Sequence, residues 1–65
     1  MKLDSARLQI AMARVCMNAY DVAKKAGIHY ATIKRACTRT GAKPTTIGKI
    51  ARALGVDVVE IIEDS

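Results

Sequence analysis

The segment from Asn18 to Thr38 reads NAYDVAKKAGIHYATIKRACT, and its punctuation decides the architecture. Asn18 is a helix-capping residue with apolar Met17 before it and apolar Val22 four positions later, the spacing that staples the first turn of a helix. The same grammar recurs at His29, between Ile28 and Ile33. Between the two starts stands Gly27, the residue that most readily takes the left-handed conformation closing a helix. Two short helices, Ala19 to Ala26 and Tyr30 to about Thr38, are therefore expected, joined by three residues only. Ala23 is small enough to let the second cross the first closely. A steep crossing turns Val22, Ala26, Ile28, Ile33 and Ala36 inward, and all five are apolar.

On the second of these helices Ile33, Ala36 and Cys37 follow the i, i+3, i+4 spacing of a buried stripe. The outward set is then Tyr30, Ala31, Lys34, Arg35 and Thr38, with His29 at its rim. These residues suit a DNA major groove. Arginine donates two parallel hydrogen bonds to guanine, hydroxyls donate or accept, and an alanine methyl can rest on a thymine methyl. Arg35 is the foremost base reader, with a phosphate clamp or a solvated charge as its alternatives. Lys34 leans toward phosphate, and Tyr30 can either touch DNA or lie back on the domain.

Working outward, the capping grammar returns at Asp4 with Leu3 and Leu8, and at Asp57 with Val56 and Ile61, where Glu60 completes a capping pair. Near Pro44 to Thr46 a proline suits a first helical turn. No stretch alternates with period two. The expectation is an all-α, compact five-helix domain: helix 1 from about Asp4 to Cys16, helix 2 from Ala19 to Ala26, helix 3 from Tyr30 to about Thr38, helix 4 from Thr45 to Leu54 and helix 5 from Val58 to Glu63. Gly27 and Gly55 close helices 2 and 4, and Arg39 to Lys43 form a basic loop.

Sixty-five residues suit one domain, 1–65, with one small core. The net charge is +5, and its distribution is informative. The last nine residues hold Asp57, Glu60, Glu63 and Asp64 and no base, whereas eight basic residues and no acid lie between Val22 and Val56. Such a block wants a polyanion. Two tyrosines without Phe or Trp argue against a platform for stacking single-stranded bases, so duplex is preferred. Asp4, Arg7, Gln9 and Arg14 interrupt any apolar leader, which points to a cytoplasmic protein without a membrane segment. Cys16 and Cys37 are expected to be reduced core thiols, and with one histidine they fall short of a four-ligand zinc site.

The spacing Ala23, Gly27, Ile33 and the stretch Lys49-Ile-Ala-Arg-Ala-Leu-Gly-Val56 resemble the Cro and phage-repressor type, or XRE-like, helix-turn-helix family. The resemblance implies base-reading positions at Tyr30, Ala31 and Arg35, and a phosphate at the helix 2 N-terminus, at Asn18 and Ala19. It also implies backbone contacts from the loop running from Thr38 through Arg39 to Lys43, and a bacterial, phage or mobile-element setting. His29 stands where the family commonly has Ser or Thr, and Ala19 lacks the polar side chain often found there.

The expected function is a small transcriptional regulator, repressor-like, that binds duplex DNA and requires no cofactor, metal or small-molecule ligand. A protein-interaction module, such as an antitoxin-like or bridging helical partner, is the alternative. An enzyme is disfavoured, because one histidine, no paired acids in the basic block and no phosphate-cradling glycine loop leave little to catalyse with. Leu8, Ala11, Met12 and Val15 are expected to fill the core from helix 1. That leaves Ala6, Ile10, Ala13 and Val59 as spare apolar surface, and a homodimer through helix 5 or helix 1 is a further expectation.

Overall fold

The computed structural model describes residues 1–63, so that Asp64, counted above in the acidic end, lies outside the described residues. Its elements are α1 (Ser5–Arg14), α2 (Ala19–Ala26), α3 (Tyr30–Ala36), α4 (Pro44–Leu54) and a 3-10 turn (Val58–Glu60). Four α-helices therefore stand where five were expected. Asp57 and Glu60 do form the expected reciprocal cap, but only one tight turn follows it, and Ile61 has already left helical geometry at φ −122°.

Each helix boundary has a local cause. Asp4 caps α1 by accepting from the Arg7 N–H at 3.0 Å. The helix ends at Arg14, earlier than Cys16, because Cys16 takes a left-handed φ of 55°. For a residue with a Cβ that conformation costs roughly 1–2 kcal/mol. Gly27 ends α2 at φ 73° and Gly55 ends α4 at φ 70°, where the missing Cβ removes that cost. Pro44 occupies the first turn of α4. Cys37 ends α3, one residue before Thr38.

The core is assembled around α4, which packs against α2 and the 3-10 turn, while α2 packs against α3. Val22, Ile33, Ile47, Ile50 and Ile61 are wholly or almost wholly buried, and no charged or polar residue among those described is buried. Ala26, Ile28 and Cys37 sit half-buried against this core, as do Met12 and Met17. Val15, expected inside, is 41% exposed, because the early end of α1 turns it away from the core. Cys16 is likewise exposed rather than a core thiol. Ile10 and Val59 remain exposed, as their place outside the core-facing stripes requires.

One element was not anticipated beyond Leu3's role in the staple. Residues 1–3 run as an extended strap between the loop before α4 and the end of the described chain. The Leu3 N–H donates to the Ala36 carbonyl at 2.8 Å, and the Glu63 N–H donates to the Lys2 carbonyl at 3.0 Å. Met1 and Ala42 exchange backbone hydrogen bonds in both directions. Leu3 and Ile62 form an antiparallel bridge, and Lys2 pairs with Glu63 at 3.1 Å. The Leu3 side chain is 1% exposed, so the strap is both hydrogen-bonded and plugged into the core. Gly41 is buried against it at φ 67°, and a Cβ there would run into the Met1 carbonyl.

Candidate nucleic-acid interface

α3 lies with Ile33 and Ala36 in the core and with Ala31, Lys34 and Arg35 in solvent. Thr38 is exposed just past the helix end, where its hydroxyl donates to the Arg35 carbonyl at 2.6 Å. Tyr30 is half-buried, its ring stacked on Tyr20 at 4.1 Å between centroids and 8° between planes. The Lys34 ammonium lies 5.8 Å from the centre of the Tyr30 ring, a cation–π contact along one face of α3. Of the four residues expected to read bases, Ala31, Lys34 and Arg35 are thus exposed and Tyr30 is half-buried against Tyr20. His29 is exposed and precedes α3, but its side chain makes no capping bond.

The N-terminus of α2 is more occupied than the sequence reading allowed. Asn18 accepts from the Asp21 N–H at 2.8 Å, and the Asp21 carboxylate accepts from the Asn18 N–H at 3.2 Å. This reciprocal cap places a negative charge in the first turn and leaves the Ala19 and Tyr20 N–H groups without a partner among the described residues. Asn18 and Ala19 are therefore at a helix end that already holds an anionic group.

The N-terminus of α4 is the opposite case. Lys43 stands at the cap position without a side-chain cap, Pro44 follows, and the first turn contains no acid. The Thr45 and Thr46 N–H groups have no partner among the described residues. At this end lies a cleft of about 520 Å³, lined by Thr32, Arg35, Thr40, Gly41, Ala42, Lys43 and Thr46. It brings Arg35 of α3 and Lys43 of the loop to the same hollow, together with three threonines. Arg39 is exposed nearby in sequence but does not line the cleft. Thr32 and Thr46 were missed by the sequence reading. The available signal was Pro44 itself, which marks the start of a helix.

A family model described as a Cro/C1-type HTH DNA-binding domain matches residues 7–65. The chain belongs to that family. No curated protein and no solved structure matches it. Within this Cro/C1-type domain Ala23 and Ile33 are buried and Gly27 is left-handed, which are the conditions for two short helices to meet at a tight bend. Nothing stands within 4 Å of a Cβ built at Gly27, so the backbone conformation alone calls for glycine there.

The remaining chemistry of the Cro/C1-type domain is sparse. Cys37 has its thiol pKa raised, first by burial and then by the nearby Asp4 carboxylate, which keeps it protonated and a weak nucleophile. Among the described residues no cluster of three or more His, Cys, Asp or Glu is placed to hold a metal ion, and no helix is long and apolar enough to cross a membrane. A second cleft, of about 470 Å³, lies between α1 and the 3-10 turn and is lined by Arg7, Ile10, Ala11, Arg14, Val59 and Glu60. Arg14 and Glu60 face each other there at 3.4 Å.

Proposed function

We propose that this domain, folding as one unit over residues 1–65, binds specific duplex DNA by laying α3 in the major groove, and that it acts as a small repressor-like regulator of transcription. Arg35 reads a base edge with Tyr30, Ala31 and Lys34 beside it, and Arg39, Lys43, Thr38 and His29 hold the backbone. Asn18 and Ala19 approach a phosphate through the free N–H groups of the α2 N-terminus. The carrying observation is the exposed basic side of α3, set on a chain with no acidic residue between Val22 and Val56. A helix with its apolar stripe buried and its basic stripe in water meets both needs of groove binding: a fixed pose and a surface complementary to phosphate.

Ile10 at 56% and Val59 at 65% exposure support a two-fold homodimer through the α1 and 3-10 turn surface. Such a dimer sets two recognition helices about 34 Å apart and calls for an inverted-repeat site. Selection of bound duplexes from a random pool tests the whole scheme. Arg35→Ala is expected to relax preference at one base position, by about 1–3 kcal/mol of discrimination. Lys43→Ala is expected to weaken all sequences alike and to reduce the slope of log K against log salt by about 0.9. Identical effects of the two substitutions would sink the assignment of roles, and binding insensitive to salt would point to a protein partner instead.

A further inference from the structure

Tyr20 has no role in the scheme above, yet its position is unusual. It is the second residue of α2, it is 65% exposed, and its ring is stacked face to face on Tyr30, the first residue of α3. A ring with one face covered by Tyr30 and so much surface still exposed has its other face in water. Of the exposed large apolar side chains, Met1, Ile10, Val15, Tyr20 and Val59, it is the one within the Asn18–Thr38 segment. Tyr30 has Tyr20 on one side and the Lys34 ammonium 5.8 Å from its ring centre. Tyr30 is thus half-buried with both Tyr20 and Lys34 against its ring, whereas Tyr20, far more exposed, offers a flat apolar face.

The place of that face limits its partner. In a docked helix-turn-helix the first helix crosses the sugar-phosphate backbone, and the N-terminal residues of the second reach base edges. A ring lying between those two helix starts faces the rim of the groove. The face of an aromatic ring carries partial negative charge, so it repels a phosphate oxygen and accepts C–H groups. At the groove rim the C–H surfaces of DNA are the thymine 5-methyl and the deoxyribose.

Resting on the DNA-binding reading of the preceding subsection, we propose that Tyr20 is a DNA-contacting residue whose open ring face packs against the C–H surface of the duplex at the groove rim. Tyr20 and Tyr30 then act as a two-ring wedge, with Lys34 beside them drawing the backbone in.

The test uses the full chain, a duplex recovered by selection, and titrations followed by fluorescence anisotropy of labelled DNA. Tyr20→Ala is expected to weaken binding about tenfold, leaving the salt slope as in wild type because no phosphate contact is lost. Tyr20→Phe is expected to recover most of that loss, because the ring and not the hydroxyl makes the contact. A role confined to bracing Tyr30 predicts that Tyr20→Ala adds nothing in a Tyr30→Ala background; a direct contact predicts a further severalfold loss there. Replacing thymine by deoxyuridine in the duplex assigns the partner: a loss seen with wild type and absent in Tyr20→Ala identifies the methyl, and an equal effect on both identifies the deoxyribose. Protection of Tyr20 from nitration by tetranitromethane, read by peptide mass spectrometry on wild type with saturating duplex, reports the contact itself without a substitution. Undiminished nitration, or Tyr20→Ala binding as wild type does, overturns the proposal while leaving DNA binding intact. Wild-type chain that binds no duplex overturns both.

Discussion

The N-termini of α2 and α4 are built from opposite materials. α2 begins with a strong cap, Asn18, answered by Asp21, so the Asn18 and Asp21 N–H groups are satisfied and a carboxylate sits on its positive end. α4 begins with Lys43 and Pro44, has no side-chain cap and no first-turn acid, and opens onto the cleft shared with Arg35. Good capping stabilises a helix by occupying the groups that would otherwise bind an anion. The end that is better for the fold is thus the poorer phosphate site. On the proposed DNA-binding reading, this contrast predicts that α2 contributes more to stability and that α4 with its loop contributes more to phosphate contact.

The largest effect that would break this contrast comes from the strap. Leu3, 1% exposed, anchors residues 1–3, and these hold Ala42 directly before the α4 start. Leu3→Ala is expected to cost about 2–5 kcal/mol of stability in urea unfolding. If strap and loop form one unit, amide exchange at Ala42 should accelerate more than that at Val22. Uniform acceleration would show that the strap contributes core volume alone.

A smaller effect sharpens the α2 side. Asn18→Ala removes the cap and is expected to cost about 1 kcal/mol of stability. Its DNA affinity should fall less than that of Lys43→Ala in the same buffer. The reverse order would place the stronger phosphate contact at α2 and undo the comparison.

How far the sequence discloses all this depends on whether the deciding interaction is local. The α2–α3 bend was legible because Asn18, Gly27 and the Val22 and Ile33 stripes act within a few residues of one another. The exposed face of α3 followed from its buried one. Helix 5 was overread because a genuine capping pair at Asp57 and Glu60 says where a helix begins, not how long packing lets it continue. The end of α1 was misplaced because Cys16, not glycine, adopts the left-handed turn, and no propensity marks that choice. The strap and the Thr32–Thr46 cleft were invisible because they join residues far apart in the chain. Gly41 was the trace they left, a glycine required by a backbone passing against it. Asp21 is, by contrast, legible in the sequence: at N3 it is the acidic half of a capping pair with Asn18, as Glu60 is with Asp57.

Asp21 also provides the finest test of the contrast. Asp21→Asn keeps a side-chain oxygen able to accept from the Asn18 N–H but removes the charge from the α2 N-terminus. An anion near that end is stabilising by roughly 0.3–1 kcal/mol, so the variant is expected to be less stable by about that amount. DNA binding should move in the opposite direction. With the carboxylate gone, the free Ala19 and Tyr20 N–H groups face a backbone phosphate without a competing charge, and affinity at low salt should rise severalfold. Because the gain is electrostatic, it should shrink as the Debye length falls with added salt. Paired unfolding and binding measurements across a salt series check this. Should stability and affinity fall together, the α2 end lies away from the phosphates, and the case for Asn18 and Ala19 as backbone contacts is lost.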